Sequence, residues 1–323
     1  MLTKKQQRAL SLSILIAAGI YLYFIFSSDT EKIINSMKQV TVTDWLIILS
    51  CSFLNYVFRF IRWNSYIRSF HHSIPLKRHF AYYLAGLALT TTPAKAGETI
   101  RSLYLQPYQV KLSQSLASFF TERLLDVTVM VFLASFLFFT FPQLNQSYAY
   151  FILSLLVGLI ILLPLLSTVH IQRILKYIIS KFDETKLSNI LIHLVSLLRS
   201  AHKLLSYKML SQGLILGLIA WLLNGLVFYL ILEKTGFPVE LSLALTIYAI
   251  SILAGAASFI PGGIGATETV MALMLLSINS EPHIAVAVPI LTRLATLWFA
   301  VCIGLLANAY LSVNNATYPQ QKT

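Results

Sequence analysis

The sequence predicts an all-α polytopic membrane protein with about six full spans, two re-entrant hairpins forming an inverted repeat, and interfacial amphipathic helices. Three observations predict this class. Of the 323 residues, 57% are hydrophobic and 11% charged, whereas a soluble domain carries roughly 25% charged residues. Several apolar runs reach the roughly 18 residues that a helix needs to cross a bilayer. Two charged motifs broken by Pro and Gly interrupt the apolar sequence at matched positions. The chain reads as one transmembrane domain over 1–323, with repeat motifs at 79–141 and 243–311 and a cytoplasmic amphipathic segment at 170–208.

The spans follow in order. Lys4, Lys5 and Arg8 precede a first apolar run at 10–27. That run is long and no small-residue cleavage site follows it, so it reads as a retained helix rather than a signal peptide. A second span covers 44–61. The stretch 59–79 then carries Arg59, Arg62, Arg68, Lys77 and Arg78 with no acid, and 170–208 is also basic. The positive-inside rule places the N-terminus and both stretches in the cytoplasm. Residues 122–141 and 147–168 leave and return, so 79–120 must start and finish on the cytoplasmic side. Its apolar pieces, 79–92 and 112–120, are each too short to cross and suit a re-entrant hairpin. Residues 211–232 go out, 243–260 and 265–278 form a second hairpin from the outside, and 284–311 return. Both termini are then cytoplasmic, in a multi-pass protein of the inner cell membrane. In 170–208, Ile171, Ile174, Leu175, Ile178 and Ile179 share one helical face while Arg173, Lys176 and Lys181 lie off it, as in a helix lying in the interface or packed on the bundle.

Several function classes drop out. The net charge of +12 sits in short loops, where it reports topology rather than nucleic acid. Cys51 and Cys302 form neither a disulfide framework nor a metal spacing. The seven histidines show no ligand pattern. No nucleophile elbow, P-loop or dinucleotide fingerprint is present. No catalytic residue, metal or cofactor is therefore expected.

The repeat comes from two stretches, "LAGLALTTTPAKAGETIRSLYL" at 84–105 and "LAGAASFIPGGIGATETVMALML" at 253–275. Pro93 and Pro261 are each followed four residues later by a glycine, Gly97 and Gly265, and then by a glutamate, Glu98 and Glu268. Arg123 in "TERLLDV" and Arg293 in "TRLATLWF" follow at a similar offset. Entry from opposite faces makes the repeat inverted, the plan of many secondary transporters, whose sites sit at broken helices near the midplane.

A charge in hydrocarbon costs roughly 2.5–3.5 kcal/mol on insertion scales. Glu98, Arg101, Glu122, Arg123, Asp126, Glu268 and Arg293 all occupy such places. Structural pairing between hairpin tips would account for any one of them, but the whole set points to a polar cavity. The glycines Gly262, Gly263 and Gly265 can free backbone N–H groups, which attract anions at a helix start. Lys95 adds charge, and arginine suits phosphate. Pro93, Lys95, Gly97, Glu98, Arg101, Glu122, Arg123, Asp126, Pro261, Gly262, Gly263, Gly265, Glu268 and Arg293 are the candidate substrate-binding residues.

At "PAKAGETIR", "TERLLD", "PGGIGATE" and "TRLATLWF" the chain resembles the flippase-like transmembrane region of the lysylphosphatidylglycerol synthase family, over about 10–312. The resemblance implies a free-standing member without the cytosolic aminoacyl-transfer domain, one that moves an anionic phospholipid or lipid-linked headgroup between leaflets. Its expected partner is a membrane phospholipid or polyprenyl-linked lipid, and not nucleic acid. A homodimer and a partner glycosyltransferase are both compatible with the sequence. A transporter of a soluble substrate and a membrane subunit of a lipid-modifying system remain the alternatives.

Overall fold

A computed structural model of the chain describes residues 19, 30–140, 146–166, 196–197 and 199–316. Most of the predicted first span and most of the amphipathic segment lie outside these residues. Every regular element among the described residues is helical. Helix α1 is Thr30–Lys38 and α2 is Val42–Ser69. Helix α3, Leu76–Leu87, leads through a turn into a 3-10 segment, Pro93–Ile100, and the short α4, Arg101–Leu105. Then come α5 (Leu112–Ala134), α6 (Leu137–Thr140) and α7 (Gln146–Leu166). The second half holds α8 (Tyr207–Lys234), α9 (Leu241–Ala257), a 3-10 turn at Pro261–Gly263 and α10 (Ala266–Ser277). It closes with α11 (Pro282–Arg293), a π-helical turn at Leu294–Trp298 and α12 (Phe299–Ala316).

Among the described residues, three helices are long and apolar enough to cross a membrane: Val42–Ser69, Tyr207–Lys234 and Pro282–Val313. Two expected boundaries differ. Helix α2 does not stop near 61 but runs on to Ser69. Its buried face recurs at helical spacing through Ile48, Ser52, Asn55, Arg59, Arg62, Tyr66 and Ile67. Arg59 and Arg62 are therefore interior helix residues, not loop charges. The second difference is at 112–141. The short apolar piece 112–120 and the start of the expected span at 122 belong to one continuous 23-residue helix, α5. The charges at 122–126 split the apolar pattern there without breaking the backbone.

Contacts sort the connections into two ends. At one end, Lys234 Nζ lies 3.2 Å from Asp44 Oδ1, joining the close of α8 to the start of α2. A capping box holds that start, with Asp44 N–H donating to Thr41 Oγ1 at 3.3 Å and Thr41 N–H donating to Asp44 Oδ2 at 3.0 Å. Helix α11 packs against α1 at this same end. At the other end, the His72 ring meets Gln114 Oε1 at 2.9 Å, and Tyr82 stacks on Tyr104 with centroids 5.2 Å apart. Tyr66, Ala117 and Leu204 cluster there too.

Helices α2 and α8 run side by side, α3 packs on α12, and α9 packs on α5. Gly304 of α12 passes so close to α3 that an added Cβ would lie 2.1 Å from the Ala88 nitrogen. Two apolar cores result. One gathers Trp221, Phe228, Tyr248, Met271 and Leu291. The other gathers Phe60, Trp63, Tyr83, Leu87 and Phe119.

Candidate functional site

The two Pro/Gly segments meet between these cores. The 3-10 segment that begins at Pro93 packs against the turn that begins at Pro261. A Cβ on Gly262 would sit 3.4 Å from the Thr91 Cα. Gly262, Gly263 and Gly265 have φ of 65°, 65° and 88°, a region in which side chains bearing a Cβ are disfavoured. At the first tip Gly97 fits tightly, because an added Cβ would lie 2.5 Å from the Leu89 Cβ. Its N–H donates to Thr92 Oγ1 at 2.7 Å.

Charges surround the first tip. Asp126 accepts from Arg59 Nη2 and Arg62 Nη2, each at 2.7 Å. Glu122 accepts from Arg101 Nη2 and lies 3.8 Å from Arg62 Nε. Glu98 accepts from Thr90 Oγ1 at 2.9 Å. Arg123 Nη2 stands 3.7 Å from Glu98 and 3.4 Å from Asp126. All of these groups are buried except Arg123, whose side chain is 19% exposed. Aromatic faces line the rest. The Arg101 guanidinium lies 3.6 Å from the Trp63 ring centroid. Arg59 and Lys95 lie 5.4 and 5.9 Å from the Trp221 centroid, at cation–π range.

The second tip is closed on itself. Arg293 Nε donates to Glu268 Oε1 at 2.8 Å, and Arg293 Nη2 donates to the Gly262 carbonyl. Glu268 Oε2 accepts from Gly265 N–H at 2.7 Å, as an acid in the first turn of α10 should. Gly263 N–H donates to Ile260 O at 2.8 Å, and Ile264 N–H donates to Pro261 O at 3.3 Å. Of the backbone donors that the sequence suggested for an anion, the N–H groups of Gly263 and Gly265 are thus engaged within the turn.

The structure brings Lys95, Glu98, Arg101, Glu122, Arg123 and Asp126 into one cluster, with Glu268 and Arg293 as a neighbouring closed pair. Sequence reasoning missed Arg59, Arg62, Thr90, Trp63 and Trp221. The two arginines had a signal, the helical period running past residue 61 into "FRFIRW". Trp221 had none, because α8 is apolar on nearly every face.

Donors remain open in this cluster. Among the described residues, Nε of Arg59, Arg62 and Arg101, and both Nε and Nη2 of Arg123, are buried without a hydrogen-bond partner. An unpaired buried donor costs about 1–3 kcal/mol. A further anionic acceptor would relieve several of them together.

Comparison with known proteins places the chain among membrane proteins. A UPF0104 membrane protein of Pyrococcus horikoshii is 23% identical over 316 residues, covering 91% of this chain and 94% of its own. A UPF0104 membrane protein of Methanocaldococcus jannaschii is 24% identical over 315 residues, covering 92% of each. The family described as the lysylphosphatidylglycerol synthase TM region matches residues 10–304. The chain belongs to that family of membrane proteins.

Proposed function

We propose that the chain carries an anionic lipid headgroup across the cell membrane at the cluster around the first tip, while the lipid tails stay in the bilayer. One observation carries this reading. Open guanidinium donors lie where two broken helix pairs meet, inside a bundle of apolar helices. Arg123 would bind the phosphate with Lys95, and the enclosed Arg101 would hold Glu122 behind them. Glu98, Glu122 and Asp126 would hold these cations in place through the empty stage of the cycle.

The two ends of the bundle support an inverted arrangement. Helix α3 leaves the end marked by His72 and Gln114, and the chain is back there at Tyr104. Helices α9 and α10 start and finish at the end marked by Asp44 and Lys234. With the basic residues Arg68, Lys77 and Arg78 cytoplasmic, the two pairs are re-entrant hairpins from opposite faces. Their tips would meet near the midplane, as in transporters built from repeats.

The test is transfer of a labelled anionic lipid between leaflets of liposomes holding the purified chain. Arg123→Ala and Glu98→Ala should each slow transfer at least about tenfold, the loss expected from roughly 1.4 kcal/mol. Wild-type rates in both variants would overturn the site.

A further inference from the structure

The cluster has more positive charge than it can neutralise. Arg59, Arg62, Lys95, Arg101 and Arg123 face Glu98, Glu122 and Asp126, five cations against three carboxylates and a formal surplus of two. The adjoining Glu268–Arg293 pair is neutral and leaves that surplus unchanged. Arg59, Arg62 and Arg101 are enclosed, whereas Arg123 and Lys95 reach the surface of the cluster. Among the described residues, no carboxylate lies within ion-pair distance of Lys95. Its ammonium lies instead on the Trp221 face. Its backbone stands at φ 56°, with Lys95 N–H donating to Thr92 O at 2.8 Å. Non-glycine residues rarely adopt this conformation unless their surroundings enforce it.

We infer that this cluster selects a phosphate monoester, with two negative charges, over a phosphodiester or a zwitterionic headgroup. A monoester is close to doubly ionised above its second pKa near 6. It cancels the surplus, while a diester leaves one uncompensated charge and a zwitterion leaves two. Uncompensated charge is costly away from water. Lys95 and Arg123 supply the two accessible cations, and the open Arg123 Nε and Nη2 supply donors to the phosphate oxygens. The inference rests on reading the cluster as a headgroup site.

The test uses the full chain in phosphatidylcholine nanodiscs at pH 7, titrated with farnesyl phosphate and with its methyl phosphodiester, which has the same tail and one charge fewer. Trp221, beside both Lys95 and Arg59, reports occupancy by fluorescence, and Trp221→Phe removes that signal. The monoester should bind at least about tenfold more tightly than the diester, as expected when one extra charge meets a site of low dielectric constant. Lys95→Met should reduce the preference below about threefold, with Arg123→Gln as an independent second variant. Equal affinity of the wild type for the two esters would overturn the charge selection and leave lipid transfer standing. Inorganic phosphate binding as tightly as farnesyl phosphate would keep the charge selection and overturn the lipid reading. Binding of no ester would overturn both.

Discussion

Glu268 and Arg293 stand 25 positions apart in sequence and 2.8 Å apart in space. Glu98 and Arg123 have the same sequence spacing, but their closest approach is 3.7 Å. Measured from the two prolines, the glutamates fall out of step; measured from their arginine partners, they match. This common spacing supports an internal repeat whose halves have diverged. One half locks its tip, and the other keeps its guanidinium loosely held.

The locked half should be the structural one. Removing one partner of a buried pair leaves a bare charge and costs about 3–5 kcal/mol. Glu268→Ala and Arg293→Ala should each lower the thermal midpoint in detergent clearly. The double variant Glu268→Gln with Arg293→Met should recover part of that loss, as read in the same melting experiment.

Arg62 and Arg123 should separate stability from transfer. Arg62 is fully enclosed and serves both Asp126 and Glu122, so Arg62→Met should destabilise by about 3–5 kcal/mol. Among the described residues, Arg123 makes no hydrogen bond through Nε or Nη2, and its side chain is partly exposed. Arg123→Met should destabilise less than Arg62→Met does, while slowing lipid transfer at least about tenfold. Melting and liposome assays on the same preparations check both halves of the statement.

Crowding fixes the contact of α12 with α3. An alanine at Gly304 would drive a methyl group into the Ala88 backbone, and overpacking of this kind costs about 1–3 kcal/mol. Gly304→Ala should melt early, whereas Gly158→Ala, whose added Cβ would meet nothing within 4 Å, should not. Parallel melting curves decide this.

Opposite entry of the two hairpins is testable in intact cells. In a Cys51→Ser, Cys302→Ser background, His72→Cys should be labelled by a membrane-impermeant thiol reagent only after lysis. Asn279→Cys should be labelled before it. Labelling of both from the same side would overturn the inverted arrangement.

Much of the cluster could be read from the sequence, because charge in an apolar run is costly and therefore conspicuous. Glu98, Arg101, Glu122, Arg123 and Asp126 stood out on that ground and do come together. Arg59 and Arg62 were hidden by the rule that reads topology well. Near the end of a span, a loop arginine and a buried arginine look alike until the helical face is followed to Ile67. The division at 121–122 failed for the opposite reason. Three charges within one turn and a half of α5 resemble a boundary, yet partners on α2 and α4 allow the helix to continue.

The π-helical turn at Leu294–Trp298 lies directly after Arg293. Such a turn contains one residue more than an α turn, so it advances every later side chain by roughly 100° around the axis. Upstream of it the helix serves the locked tip and α1; downstream it presents Gly304 to α3. The inserted residue thus acts as a phase shifter, letting one rod face two unrelated partners. Deleting a single residue there would restore a regular α-helix and point one of those faces the wrong way.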